Sequence, residues 1–181
     1  MNTLKQITTW TALFACVVLF GTPAISQESA PKLSDPEIAS VAVTANQIDV
    51  DYGKIALEKS TNKAVRKFAQ SMVDDHSNII KQAVALAGKL GVTPKDNAMT
   101  QKLLDGAKAT KSKLNSATGD DFDKAYIDNE VAYHEAVISA VKKVLIPQTD
   151  NDQLKNMLVK VGPLLESHLE MAKMAQAKLE N

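Results

Sequence analysis

Past residue 26 the sequence has no cysteine and no tryptophan, because its only copies are Cys16 and Trp10. A chain without thiols there has no disulfide to hold it together and no thiolate to attack a substrate or bind a metal. No glycine-rich phosphate loop and no serine-nucleophile motif is present, which removes the common signatures of nucleotide binding and acyl transfer. Charge of either sign is not in excess. Lys5 is the only charged residue before position 27, so the remainder holds 20 basic and 21 acidic residues. Such a balance does not fit nucleic acid or an anionic membrane surface, both of which select for basic patches. A run long enough to span a bilayer is missing as well. The longest, "WTALFACVVLF" at Trp10–Phe20, falls well short of the ~20 residues that a transmembrane helix needs.

That short run has another use. Lys5, the apolar stretch, and then "GTPAIS" with small residues at Ala24 and Ser26 have the order of an export signal. Cleavage after Ser26 is expected, with 1–26 as signal peptide, 27–33 as a polar linker and 34–181 as the folded domain. The expected compartment is the periplasm, and an uncleaved N-terminal membrane anchor is the alternative. Lipoprotein processing before Cys16 fits less well, since Phe14 is bulky for that site and the apolar run continues beyond the cysteine.

What the sequence does contain is helical periodicity. Ser34 and Glu37 in "SDPE" match a capping box, with Pro36 tolerated in the first turn. Ile38, Val41, Ala45, Ile48, Tyr52 and Ile55 then recur at three-four spacing, which makes one face of a helix. A break at "KSTNK" precedes a second helix that stops at "GVTP", glycine first and proline soon after. Residues 95–119 are weakly periodic and read as a mostly helical crossover. A third long helix is expected from a cap near Asp120 to Pro147. A fourth starts at Thr149 and carries Leu154, Met157, Val161, Leu164, His168, Ala172, Ala175 and Leu179, with a local bend at Pro163. No segment alternates with period two. Four amphipathic helices with short hairpin links and one long connection predict an all-α four-helix bundle with a partly helical crossover between helices 2 and 3.

All three histidines of the chain fall on inward faces. His76 interrupts the apolar series Val65, Ala69, Met72, Ile79, Ala83, Leu86, Leu90. His134 follows Ile127 and Glu130, and His168 sits in the last helix. Asp49 and His76 are nearly equidistant from the first hairpin turn, so they share a layer at 1.5 Å rise per residue. The same counting pairs His168 more loosely with Glu130. Imidazole and carboxylate donors from facing helices suit zinc, copper, iron or nickel, which makes His76, His134, His168, Asp49 and Glu130 the candidate ligands. A buried polar layer, in which the acids hydrogen-bond the histidines, uses the same residues. The Glu-x-x-His spacing of di-iron bundles is absent, since Val73 and Leu165 stand three residues before His76 and His168. Tyr126 and Tyr133 read as core edge, Met171 and Met174 as core and flank. Asp74 and Asp75 are expected to pair with lysines, because neighbours on a helix point about 100° apart.

The stretches "VRKFAQSMVDDHSNIIKQ", "FDKAYIDNEVAYHEAV" and "VGPLLESHLEMAKM", in that order, resemble the domain of unknown function 4142 family of exported bacterial proteins. The likeness covers about residues 36 to 179. It implies a ferritin-like four-helix bundle, places the family's histidines at His76, His134 and His168, and matches its acidic position before a glycine to Asp49 in "DVDYGK". Gly162–Pro163 replaces the "LP" that usually precedes the last histidine. The resemblance implies no activity. The reading preferred from sequence is therefore a non-enzymatic binding or envelope-associated module whose partner and oligomeric state the sequence does not name. A metal-binding bundle that handles metal or oxidative stress is the alternative.

Overall fold

Helix α1 (Asp35–Lys59) begins as the capping box requires, with the Glu37 carboxylate accepting from the Ser34 backbone N–H at 2.9 Å and its hydroxyl at 2.7 Å. It ends at Ser60, and Asn62 at once caps α2 (Lys63–Leu90) by accepting from the N–H groups of Ala64 and Val65. Only three residues separate the two helices, so α1 and α2 form an antiparallel hairpin. Gly91 closes α2 at φ 64°, a left-handed conformation that glycine adopts without a Cβ penalty.

In the computed structural model, which describes residues 32–180, the chain from Lys32 onward is one all-helical unit. The expected signal peptide, with Cys16 and the start of the linker, lies outside the described residues. No strand occurs among those described, and no helix is long and apolar enough to cross a membrane.

The crossover is helical as expected, while the ends of the third and fourth long helices differ from the sequence expectation. The crossover is a full helix, α3 (Ala98–Ser116), capped by Asn97. Its weak periodicity is explained by its environment, since only Thr100, Ala107 and Leu114 are buried. Helix α4 (Gly119–Ala140) has Thr118 at its N-cap position, two residues before the expected Asp120, and helical structure continues through Pro147. It passes through a π-helical turn, Val141–Leu145, into a short helix α5 (Ile146–Gln148). Proline lacks an N–H and its ring clashes with the carbonyl four residues back. The turn before it widens accordingly, and the Ile146 N–H reaches Val141 O. Helix α6 (Asp152–Leu179) is capped by Asn151, not by Thr149, whose hydroxyl donates to Leu145 O.

Helix α1 packs on α2, α2 on α6, α6 on α4 and α4 on α1, so these contacts close a ring of four helices, while α3 packs against α1 and α4. The interior of the ring holds two apolar clusters. One contains Tyr52, Phe68, Met72, Phe122, Tyr126 and Ala172, the other Ile38, Val41, Val141, Leu145, Leu158 and Leu165. Along α4 and α6 the chain leaves one cluster and enters the other across Glu130 and His134 and across His168, while on α1 Asp49 sits beside Ile48 at the near edge of the Tyr52 cluster. His76 follows the α2 residues of the first cluster. The polar layer divides the core.

Candidate metal centre

Asp49, His76, Glu130, His134 and His168 are all 2% exposed or less. Three imidazoles from three helices meet there, with ring centroids 5.7 Å apart for His76–His134, 5.1 Å for His76–His168 and 5.5 Å for His134–His168. Asp49 enters from α1. Its Oδ2 lies 3.2 Å from His76 Nε2 and 3.5 Å from His134 Nε2. The layer inferred from equal distance to the first turn is therefore present. Glu130 Oε2 lies 3.5 Å from Nδ1 of His134, its neighbour one turn on along α4. The link between α5 and α6 runs over residues 149–151, and ring centroids 5.5 Å apart put His134 of α4 and His168 of α6 at one level.

Each histidine has one nitrogen engaged on the outer side of the cluster. His76 Nδ1–H donates to Asn46 Oδ1 at 2.7 Å, and that amide is oriented by its own Nδ2 donating to Ala42 O at 2.7 Å. His134 Nδ1–H donates to the Glu130 carbonyl at 2.9 Å. His168 Nε2–H donates to Asp75 Oδ2 at 3.0 Å. All three acceptors are oxygens without a proton to give, so each places the ring's proton on the outer nitrogen. The inner nitrogens, Nε2 of His76, Nε2 of His134 and Nδ1 of His168, therefore carry bare lone pairs. None has a hydrogen-bond partner among the described residues.

The carboxyls are little better satisfied. Asp49 Oδ1 is buried without a hydrogen-bond partner among the described residues, and Glu130, whose oxygens make no close hydrogen bond there, is faced by the Asn129 amide, which offsets part of its burial. Burial, with no cation nearby, raises the Asp49 carboxyl from 3.8 to about 8. Burial first and the Asp49 charge second hold Glu130 well above the ordinary carboxyl range. The imidazoles move the other way. Burial first, then the facing imidazoles, lower His76 from 6.5 to about 2. Burial is also the main cause that lowers His134 to about 4, and it lowers His168 as well. Without a ligand both carboxyls keep their protons to a higher pH than usual, and a protonated Asp49 Oδ2 can donate to His76 Nε2 at 3.2 Å, which leaves His134 Nε2 and His168 Nδ1 as buried lone pairs facing no donor.

Two sets of donors lie close enough to hold an ion, His76–His134–His168 and Asp49–Glu130–His134, with donor atoms within 4.8 Å of one another in each. Imidazole oriented through its far nitrogen by a carbonyl, amide or carboxylate oxygen is the arrangement metal-ligating histidines almost always have. The donors are correct in type for a borderline first-row cation.

Two supporting residues were not found from sequence. Asn46 lies three residues before Asp49 on the same helical face, a spacing that could have singled it out. Asp75 carried no such signal, and its expected pairing with lysine is wrong. Displaced about 100° from His76 around α2, it points at the neighbouring helix α6 instead. Asp74 accepts from Gln70, also not from a lysine. Tyr126 is wholly buried in the core and not at its edge, while the Tyr133 hydroxyl donates to Ala45 O. Met171 packs partly buried against the core, and Met174 is exposed.

No curated protein and no solved structure matches the chain. A family model described as a domain of unknown function, DUF4142, matches residues 21–175, so the chain that builds this layer of histidines and carboxylates belongs to the DUF4142 family.

Proposed function

We propose that this protein binds a transition-metal ion between α1, α2, α4 and α6, with His76, His134, His168, Asp49 and Glu130 as the ligand residues. The observation that carries the reading is the orientation of the three imidazoles, each with its proton fixed outward and its free lone pair in the interior. A protonated Asp49 can donate to only one of those nitrogens, His76 Nε2 at 3.2 Å or His134 Nε2 at 3.5 Å, and neither approach reaches His168 Nδ1. Zinc, copper, iron and nickel all suit the set. The closed ring of α1, α2, α6 and α4 supports reading the fold as a four-helix bundle of the ferritin-like kind, with α3 as the crossover. The signal-like first 26 residues support export to the periplasm, where intact mass of the isolated protein should give a start at or near Gln27.

A transition metal should raise the melting temperature of protein stripped with chelator, because a ligand that binds only the folded state stabilises it by mass action. His76→Ala and Asp49→Ala should each abolish most of that gain, and the double variant should lose little more. A second reading rests on the uncharged state of the unliganded layer, in which neutral histidines and acids act as a structural polar layer in a non-enzymatic module. In that case His76→Ala weakens the stripped protein by about 1–3 kcal/mol and metal shifts nothing. Melting curves of the wild type that coincide with and without zinc, copper, iron and nickel would end the metal reading.

A further inference from the structure

The two donor sets share His134, and that residue decides how many ions the centre can take. Its Nδ1–H is committed to the Glu130 carbonyl at 2.9 Å, which leaves Nε2 as its one lone pair. A single imidazole lone pair coordinates a single ion, so the sets His76–His134–His168 and Asp49–Glu130–His134 cannot each hold a metal through His134 at once. Nor do the histidines have a second nitrogen to offer. His76 Nδ1 is held by Asn46, and His168 Nε2 by Asp75.

The donor spacing agrees with one ion. Metal–ligand bonds of roughly 2.0–2.2 Å put neighbouring donors ~3.0–3.5 Å apart. Asp49 Oδ2 stands 3.2 Å from His76 Nε2 and 3.5 Å from His134 Nε2, whereas Glu130 Oε2 stands 3.5 Å from His134 Nδ1 and so joins as the outlying donor. Charge agrees too. Three neutral imidazoles and two carboxylates bring two negative charges into a layer with no lysine or arginine, and one divalent cation neutralises them.

We infer that the centre takes one divalent first-row cation per chain, bound by three histidine nitrogens and Asp49 with Glu130 completing the set, and not the pair of ions that bundles with four carboxylates hold. Its nitrogen-rich donors select against magnesium and calcium, which prefer oxygen. The inference rests on the metal-binding reading and goes beyond it in nuclearity, charge and selectivity.

The test is metal content and spectroscopy of full-length, tag-free protein, stripped with chelator and reloaded with zinc or cobalt(II). Elemental analysis should give one zinc per chain at saturation, retained against a large excess of magnesium or calcium. The cobalt(II) form should give the resonance of an isolated ion. His134→Ala should empty the site, and Glu130→Gln should keep a count of one at reduced affinity. Two ions per chain, an exchange-coupled cobalt pair, displacement by magnesium, or undiminished binding by His134→Ala would each overturn the inference while leaving metal binding standing. No metal in the wild type would overturn both. The wild-type count and spectrum decide the matter even where a variant fails to fold.

Discussion

Each histidine of the centre is held by a different kind of acceptor, an amide, a backbone carbonyl and a carboxylate, and the three should respond differently to substitution. Asn46 orients His76 only through its side chain, so Asn46→Ala should lower zinc affinity about 10–100-fold while leaving the amount bound at saturation unchanged. Asp75→Asn keeps an acceptor for His168 Nε2–H and should cost less than Asp75→Ala. Competition titrations against a chelator of known strength measure both. Equal affinity of Asn46→Ala and wild type would show that the His76 tautomer is set by something other than this amide. The histidines and Glu130 were legible because inward polar residues stand out in an apolar series, and Asp49 because it lies nearly as far from the first hairpin turn as His76 does. Their partners were less so. A side chain such as Asp75, one position from a ligand, can serve a different interface, and a single sequence does not show which helix lies across it.

At the scale of the helices, a similar limit appears in the phase of α6. The expected inward series included Met157, Val161 and Leu164, but Leu158 and Leu165 are the buried residues, and the three named are only partly so. Apolar residues occupy both adjacent stripes there, and periodicity alone does not choose between them. The second hairpin link also lies slightly later than expected, because the π-helical turn and α5 continue the helix to Gln148 and α6 starts only after Asn151. In α2 the phase is right through Ile79, but the seam opens towards the C-terminal end, where Leu86 is half-buried. Met72, fully enclosed, should therefore lose about 2–5 kcal/mol on substitution by alanine. Leu86→Ala should cost only around 1 kcal/mol, and exposed Lys89→Ala should stay within about 0.5 kcal/mol. Urea titrations rank the three. Leu86→Ala costing as much as Met72→Ala would mean that the end of α2 is as enclosed as its middle.

For the molecule as a whole, the buried layer links stability to pH, and the two kinds of group act in opposite directions. The folded-state value of Asp49 is raised to about 8 from 3.8, so the folded state holds a proton that the unfolded chain releases. Its stabilising contribution is complete below about pH 4 and is lost as pH rises towards 8. Glu130, raised by the same burial, adds in the same direction. His76 and His134 are lowered, to about 2 and about 4, so the unfolded chain takes up protons that the folded state refuses. Their contribution is complete above about pH 6.5 and is lost as pH falls below it. Between about pH 4 and 6.5 the two effects oppose each other, whereas from 6.5 to 8 only the carboxyls act. Metal-free protein should therefore become less stable across that upper interval, with Asp49 and Glu130 acting in the same direction. A bound divalent ion takes the place of the carboxyl protons, so the gain in stability from metal should be larger at pH 8 than at 6.5. Denaturant titrations at the two pH values, with chelator and with zinc, measure both slopes. Metal-free protein that is as stable at pH 8 as at 6.5 would mean that Asp49 is already ionised in the folded state, and that the layer is charged before any ion arrives.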